Sequence, residues 1–168
     1  SNPDDAFCDA VRQEFGSLAR ECGATLKQVE PMIFGFSTAY AVLSVGAYPG
    51  HFRGIVVKLR RREGREEVAV KDGVDIGLAN IEELVTGQRS AVHTKRQRWA
   101  AGEIEEEVAG LARLCRRVAL PFLTTAGGDW TGLRAFVDEK IRNAPKPWLG
   151  LNEKKAEPGA RANGPERP

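Results

Sequence analysis

The stretch TAYAVLSV, Thr38 to Val45, sets Ala39, Ala41, Leu43 and Val45 against Tyr40, Val42 and Ser44. A period of two puts each set on its own face of an extended strand. The pattern returns in His51–Arg60, where Ile55, Val57 and Leu59 share one face and Lys58 and Arg60 take the other. It returns again in Glu67–Lys71, with Val68 and Val70 opposite Glu67 and Lys71. Gly46-Ala47-Tyr48-Pro49-Gly50 and the Arg61–Arg65 run around Gly64 are turn-like. Thr25–Glu30 reads as a weaker first strand that Pro31 ends. Alternating runs joined by short turns predict an antiparallel meander of three to four strands, one face oily and one wet.

On either side of this meander the period becomes helical. Asn2-Pro3-Asp4-Asp5 is a helix start: a capping Asn, a Pro suited to the first position, and carboxylates at the positive end of the dipole. Phe7, Val11, Phe15, Leu18 and Cys22 then form one apolar stripe, closed by Gly23. After the sheet, Asn80-Ile81-Glu82-Glu83 resembles a capping box, followed by a short helix that ends at Gly87. Ile104, Val108, Leu111, Cys115, Val118 and Phe122 give the cleanest helical spacing, with Pro121 expected to kink or end that helix. Gly127-Gly128-Asp129 is a break and a new cap, and Leu133, Phe136, Val137 and Ile141 predict a final short helix. The fold class is therefore α+β: the meander with an N-terminal helix and C-terminal helices packed on one face. Residues 1–143 make a single domain, and residues 144–168 a Pro/Lys/Glu-rich tail.

At 168 residues, 42% hydrophobic and 29% charged, the chain can bury a core without staples. No apolar run approaches the roughly 20 residues that span a bilayer. The chain opens Ser-Asn without a methionine, which reads as a cleavage scar or the start of an excised piece, and no basic-then-apolar secretory signal follows. The net charge of +2 lacks the excess of a dedicated nucleic-acid binder. The cysteines, Cys8, Cys22 and Cys115, are odd in number and form no CxxC, against a disulfide framework or a zinc ribbon. They read as buried free thiols of a reducing compartment.

No catalytic constellation stands out. His51 and His93 lie in neither HExxH nor a Cys/His pairing, and no nucleophile elbow, phosphate loop or dinucleotide fingerprint occurs. Glu103, Glu105, Glu106 and Glu107 crowd the first turn of a helix, where the dipole favours acids; Glu103 and Glu107 share a face but lack the further ligands of a metal site. No cofactor is expected. The candidate partner-binding residues are basic or aromatic. Arg60, Arg61 and Arg62 stand on a hairpin with Lys58 and Arg65, and Lys95, Arg96 and Arg98 precede Trp99 in the connection 88–102. On nucleic acid the cations would meet phosphates and Trp99 would stack on a base. Yet Glu63, Glu66 and Glu67 share the hairpin, and four glutamates follow the connection, so both clusters carry their own counter-charge. Trp148, between Pro147 and Leu149 at the root of the tail, either docks back on the domain, the favoured reading, or anchors a partner.

The run from Phe15-Gly16 to Cys22-Gly23, Glu30-Pro31 before the strands, and the Gly127-Gly128-Asp129-Trp130 break together resemble small uncharacterised bacterial α+β proteins, some of them immunity-like proteins of polymorphic toxin systems. The resemblance covers residues 5–142 in outline. It implies a cytoplasmic, non-enzymatic module that binds another protein, immunity-like or chaperone-like. A nucleic-acid-associated accessory protein using the basic hairpin and connection is the alternative.

Overall fold

The first helix starts where its cap chemistry puts it. The Asn2 side chain accepts the Asp5 N–H at 2.9 Å, Pro3 opens α1 (Pro3–Glu21), and Gly23 leaves it at φ +73°. The computed structural model describes residues 2–47, 54–62, 75–90 and 102–145. After α1 come β1 (Lys27–Glu30), β2 (Ile33–Ser37), β3 (Ala41–Ala47), β4 (Ile55–Arg61), β5 (Ile76–Gly77) and α2 (Leu78–Thr86). Then follow α3 (Glu103–Leu114), a π-helical turn (Cys115–Ala119), α4 (Leu120–Thr124) and α5 (Trp130–Asn143). This is the α+β fold that the two periods predict. Among the described residues the sheet has five strands, in order β1-β2-β3-β4-β5, each antiparallel to the next.

The sheet exceeds the expected three or four strands because β2 and β5 were not foreseen. Gly35 dilutes the strand signal of Ile33–Ser37, yet Phe34 and Phe36 alternate across it and both are buried. The alternation from Thr38 is real, but its first residues are a turn. The Thr38 hydroxyl accepts the N–H groups of Tyr40 and Ala41, both at 3.1 Å, so β3 begins at Ala41. The expected strand Glu67–Lys71 and the turn around Gly64 lie outside the described residues.

Register aligns the inner face. Phe34 pairs with Val45 and Phe36 with Leu43; Leu43 in turn pairs with Leu59 and Val45 with Val57. On this face α1 seats Phe7, Val11, Phe15 and Leu18, each at 0% exposure. Phe7 meets Phe34 edge-on, with ring centroids 6.3 Å apart. Each such side chain contributes about 1.5–3 kcal/mol by leaving water. Helix α3 lies along α1 and against β4, α4 packs on β3, and α2 touches β4, β5 and the π-helical turn.

Other local expectations are modified. Helix α2 begins straight off β5 with Gly77 as its cap, so Asn80 lies inside it and caps nothing; the αL stop at Gly87 stands. Pro121 offers no N–H to the preceding turn; the helix widens into Cys115–Ala119 just before it and ends within a turn after it, at Thr124, near where the sequence places the break. Asp129 caps α5 by accepting the Gly132 N–H at 2.8 Å. At Gly128 a Cβ would lie 2.9 Å from the Phe122 Cα, so glycine lets this loop close over Phe122, whose ring meets Trp130 edge-on at 5.1 Å. Of the stripe expected in α5, Leu133 is buried, Val137 is partly buried against the core, and Ile141 is exposed. The chain divides into two compact units, Ser1–Val137 and Asp138–Pro168. Among the described residues no helix is long and apolar enough to cross a membrane.

Candidate interaction surface

Pleating gives the sheet a second, outer face. Register places Ile33, Gly46 and Val56 in one row across β2, β3 and β4, and Gly35, Ser44 and Lys58 in the next. Val56 is 37% exposed, Lys58 is exposed, and Ile33, Ser44 and Gly46 are half-buried. A Cβ on Gly46 would stand 3.2 Å from the Ile33 Cγ1, so the Ile33 side chain leans over the bare backbone of β3. The row is a shallow apolar strip with Lys58 beside it. At the other end of this face Val42 and its cross-strand neighbour Arg60 are buried.

The three hairpin arginines therefore have separate environments. Arg60 was expected on a wet face, but it is 5% exposed and its Nη1 donates to Asp75 Oδ1 at 3.5 Å. The Arg62 Nη1 donates to the Thr38 carbonyl at 2.6 Å and locks the β2–β3 turn to the end of β4. Arg61, opposite Ala41, is exposed. Lys95, Arg96, Arg98, Trp99 and Trp148 lie outside the described residues, as do His51 and His93.

One polar centre was missed by the sequence reading. Glu82 is 3% exposed; its Oε1 accepts both the backbone N–H of Ser90, at 3.0 Å, and the Ser90 hydroxyl, at 3.1 Å. The Arg117 guanidinium stands 3.6 Å from its Oε2. The carboxylate thus ties the end of α2 to the π-helical turn. The capping box read over Asn80–Glu83 gave Glu82 no role, because only the tertiary fold brings Arg117 to it. A bidentate pair, Arg116 on Glu21 at 2.6 to 3.1 Å, joins the same turn to α1. This hydrogen bonding holds the Glu21 carboxyl below the usual range.

A groove of about 530 Å³ lies between α1 and the β1–β2 turn, lined by Asp4, Asp5, Cys8, Asp9, Arg12 and Met32 among others. The Cys8 thiol donates weakly to the Pro31 carbonyl at 3.6 Å and lies 3.9 Å from the Met32 sulfur. All three cysteines are free, but only Cys115 is fully buried; Cys8 and Cys22 are half-buried at the margins of the helical layer. Burial pushes each thiol up, and Arg12 offsets part of the rise at Cys8. Glu103, Glu105 and Glu106 fill the first turn of α3 as the dipole favours, while Glu107 is buried. Among the described residues no group of three or more His, Cys, Asp or Glu is placed to hold a metal ion.

Compared with protein-family models, curated proteins and solved structures, the chain matches none.

Proposed function

We propose that the protein is a non-enzymatic protein-binding module, immunity-like or chaperone-like, acting in the cytoplasm through the outer face of its sheet. The observation that carries this reading is the Ile33–Gly46–Val56 row, an apolar strip exposed at Val56 and half-buried at Ile33 and Gly46, on a sheet whose other face is closed by helices. Covering an apolar strip of this kind is favourable, and strands present it in fixed geometry, so little order has to be gained on binding. The nucleic-acid reading draws less support, because Arg60 and Arg62 are engaged within the fold.

The test is capture by the immobilised full chain from lysate of its native host, alongside a Val56→Arg variant. The reading expects a protein that the wild type retains and the variant loses, and that reforms the complex when both components are purified. Capture unaffected by Val56→Arg would remove the outer face. Salt-sensitive retention of RNA or DNA in place of a protein would transfer the function to the basic segments.

A further inference from the structure

The single methionine of the chain is Met32, and the fold brings it to Cys8 from 24 positions away. Cys8 lies half-buried in the second turn of α1, and Met32 sits in the turn between β1 and β2. Their sulfurs stand 3.9 Å apart, and the Pro31 carbonyl is 3.6 Å from the Cys8 sulfur. Both side chains line the groove, so a small ion reaches them from solvent although Met32 itself is 4% exposed. Asp4, Asp5 and Asp9 on the same groove outnumber Arg12 and favour a cation there.

We infer that the Cys8 thiolate and the Met32 thioether form a site for a soft, monovalent d10 metal ion, Cu(I) being the physiological example. Thiolate and thioether together select that class over hard divalent ions. With sulfurs 3.9 Å apart, a metal about 2.3 Å from each would subtend an angle near 115°, close to trigonal. Binding replaces the thiol proton, which passes to solvent, and changes no oxidation state. Cys22 and Cys115 have no thioether beside them, since Met32 is the only one, and serve as controls.

The experiment is anaerobic Cu(I) titration of the full chain against a chromophoric Cu(I) chelator, for wild type and for Cys8→Ser, Met32→Leu, Cys22→Ser and Cys115→Ser. The expected result is one equivalent bound by the wild type, with affinity lower by at least about tenfold in both Cys8→Ser and Met32→Leu and nearly unchanged in the other two. Wild-type affinity in Met32→Leu would reduce the site to a thiol and overturn the inference, as would equal losses in all three cysteine variants. X-ray absorption of the wild-type complex does not depend on how the variants fold. Two sulfur neighbours support the site, and one sulfur rejects it.

Discussion

Leu59 and Arg60 are consecutive in β4, and they show how differently the two faces of the sheet are made. Leu59 lies at 0% exposure in a continuous apolar layer with Leu43, Phe36 and the stripe of α1. Arg60, on the other side, is also buried, and it meets a carboxylate, Asp75, itself partly open to water. Four residues earlier on that outer face Val56 is exposed. The inner face is closed by helices from both ends of the chain. The outer face changes along its length from a buried charged corner to an open apolar strip. Burial alone therefore does not mark the hydrophobic side of this sheet; chemistry and register do.

The largest effects should come from the inner face. Leu59→Ala and Phe15→Ala each remove a fully buried side chain from tight packing, and each should cost about 2–5 kcal/mol in urea unfolding. A loss below about half a kcal/mol at both positions would mean that the helical layer does not seal this face in solution.

Arg60→Ala tests the buried corner of the outer face. Its loss removes a charge-assisted bond to Asp75 and leaves space beside Val42, for an expected cost of about 1–3 kcal/mol. A variant as stable as wild type would place Arg60 in water, where the sequence alternation put it.

That misplacement shows what the sequence could carry. The core stripes of α1 and α3 and the alternations of β3 and β4 were legible because a repeated period reports a face whatever packs on it. Strand β2 went unread: its only alternation is Phe34 and Phe36, and Gly35 between them masked it. The two residues of β5 are too few to show a period. Arg60 falls on the wet face by alternation, and Glu82 stands out in the sequence only as part of the Asn80–Glu83 capping motif. Their burial depends on Asp75, Ser90 and Arg117, which the chain brings to them only through its tertiary course. The strip Ile33–Gly46–Val56 was hidden for a related reason: it is a row across three strands, and no linear window contains it.

A smaller effect sharpens the role of the helical layer. Glu21 holds Arg116 from the exposed edge of that layer, and its carboxyl is depressed chiefly by that hydrogen bond. A carboxyl whose folded value lies below its unfolded one stabilises above the ordinary carboxylate range and loses that contribution as pH falls through the folded value. Glu21→Gln should therefore lower stability modestly near neutral pH, and its difference from wild type should shrink in acid. A difference that grows on acidification would have the wrong sign for this pair. A large loss at neutral pH would mean that surface charge, in addition to packing, holds α1 over the inner face.

The smallest effect is expected at Val56, and its smallness is what gives it value. Val56→Thr keeps the branched β-carbon that suits a strand and exchanges one methyl for a hydroxyl. On a side chain 37% exposed, with Gly46 opposite, that hydroxyl can meet water, so the melting midpoint should move by no more than about 0.5 kcal/mol equivalent. The same change on the inner face, Val57→Thr, buries a hydroxyl at 3% exposure and should cost about 1–3 kcal/mol. These two neighbours in one strand thus measure the contrast between the faces with the same chemistry. Equal losses at 56 and 57 would mean that Val56 is already covered in the isolated chain. The outer strip could not then receive a partner without first being uncovered, and the proposed interaction surface would have to be sought elsewhere on the fold.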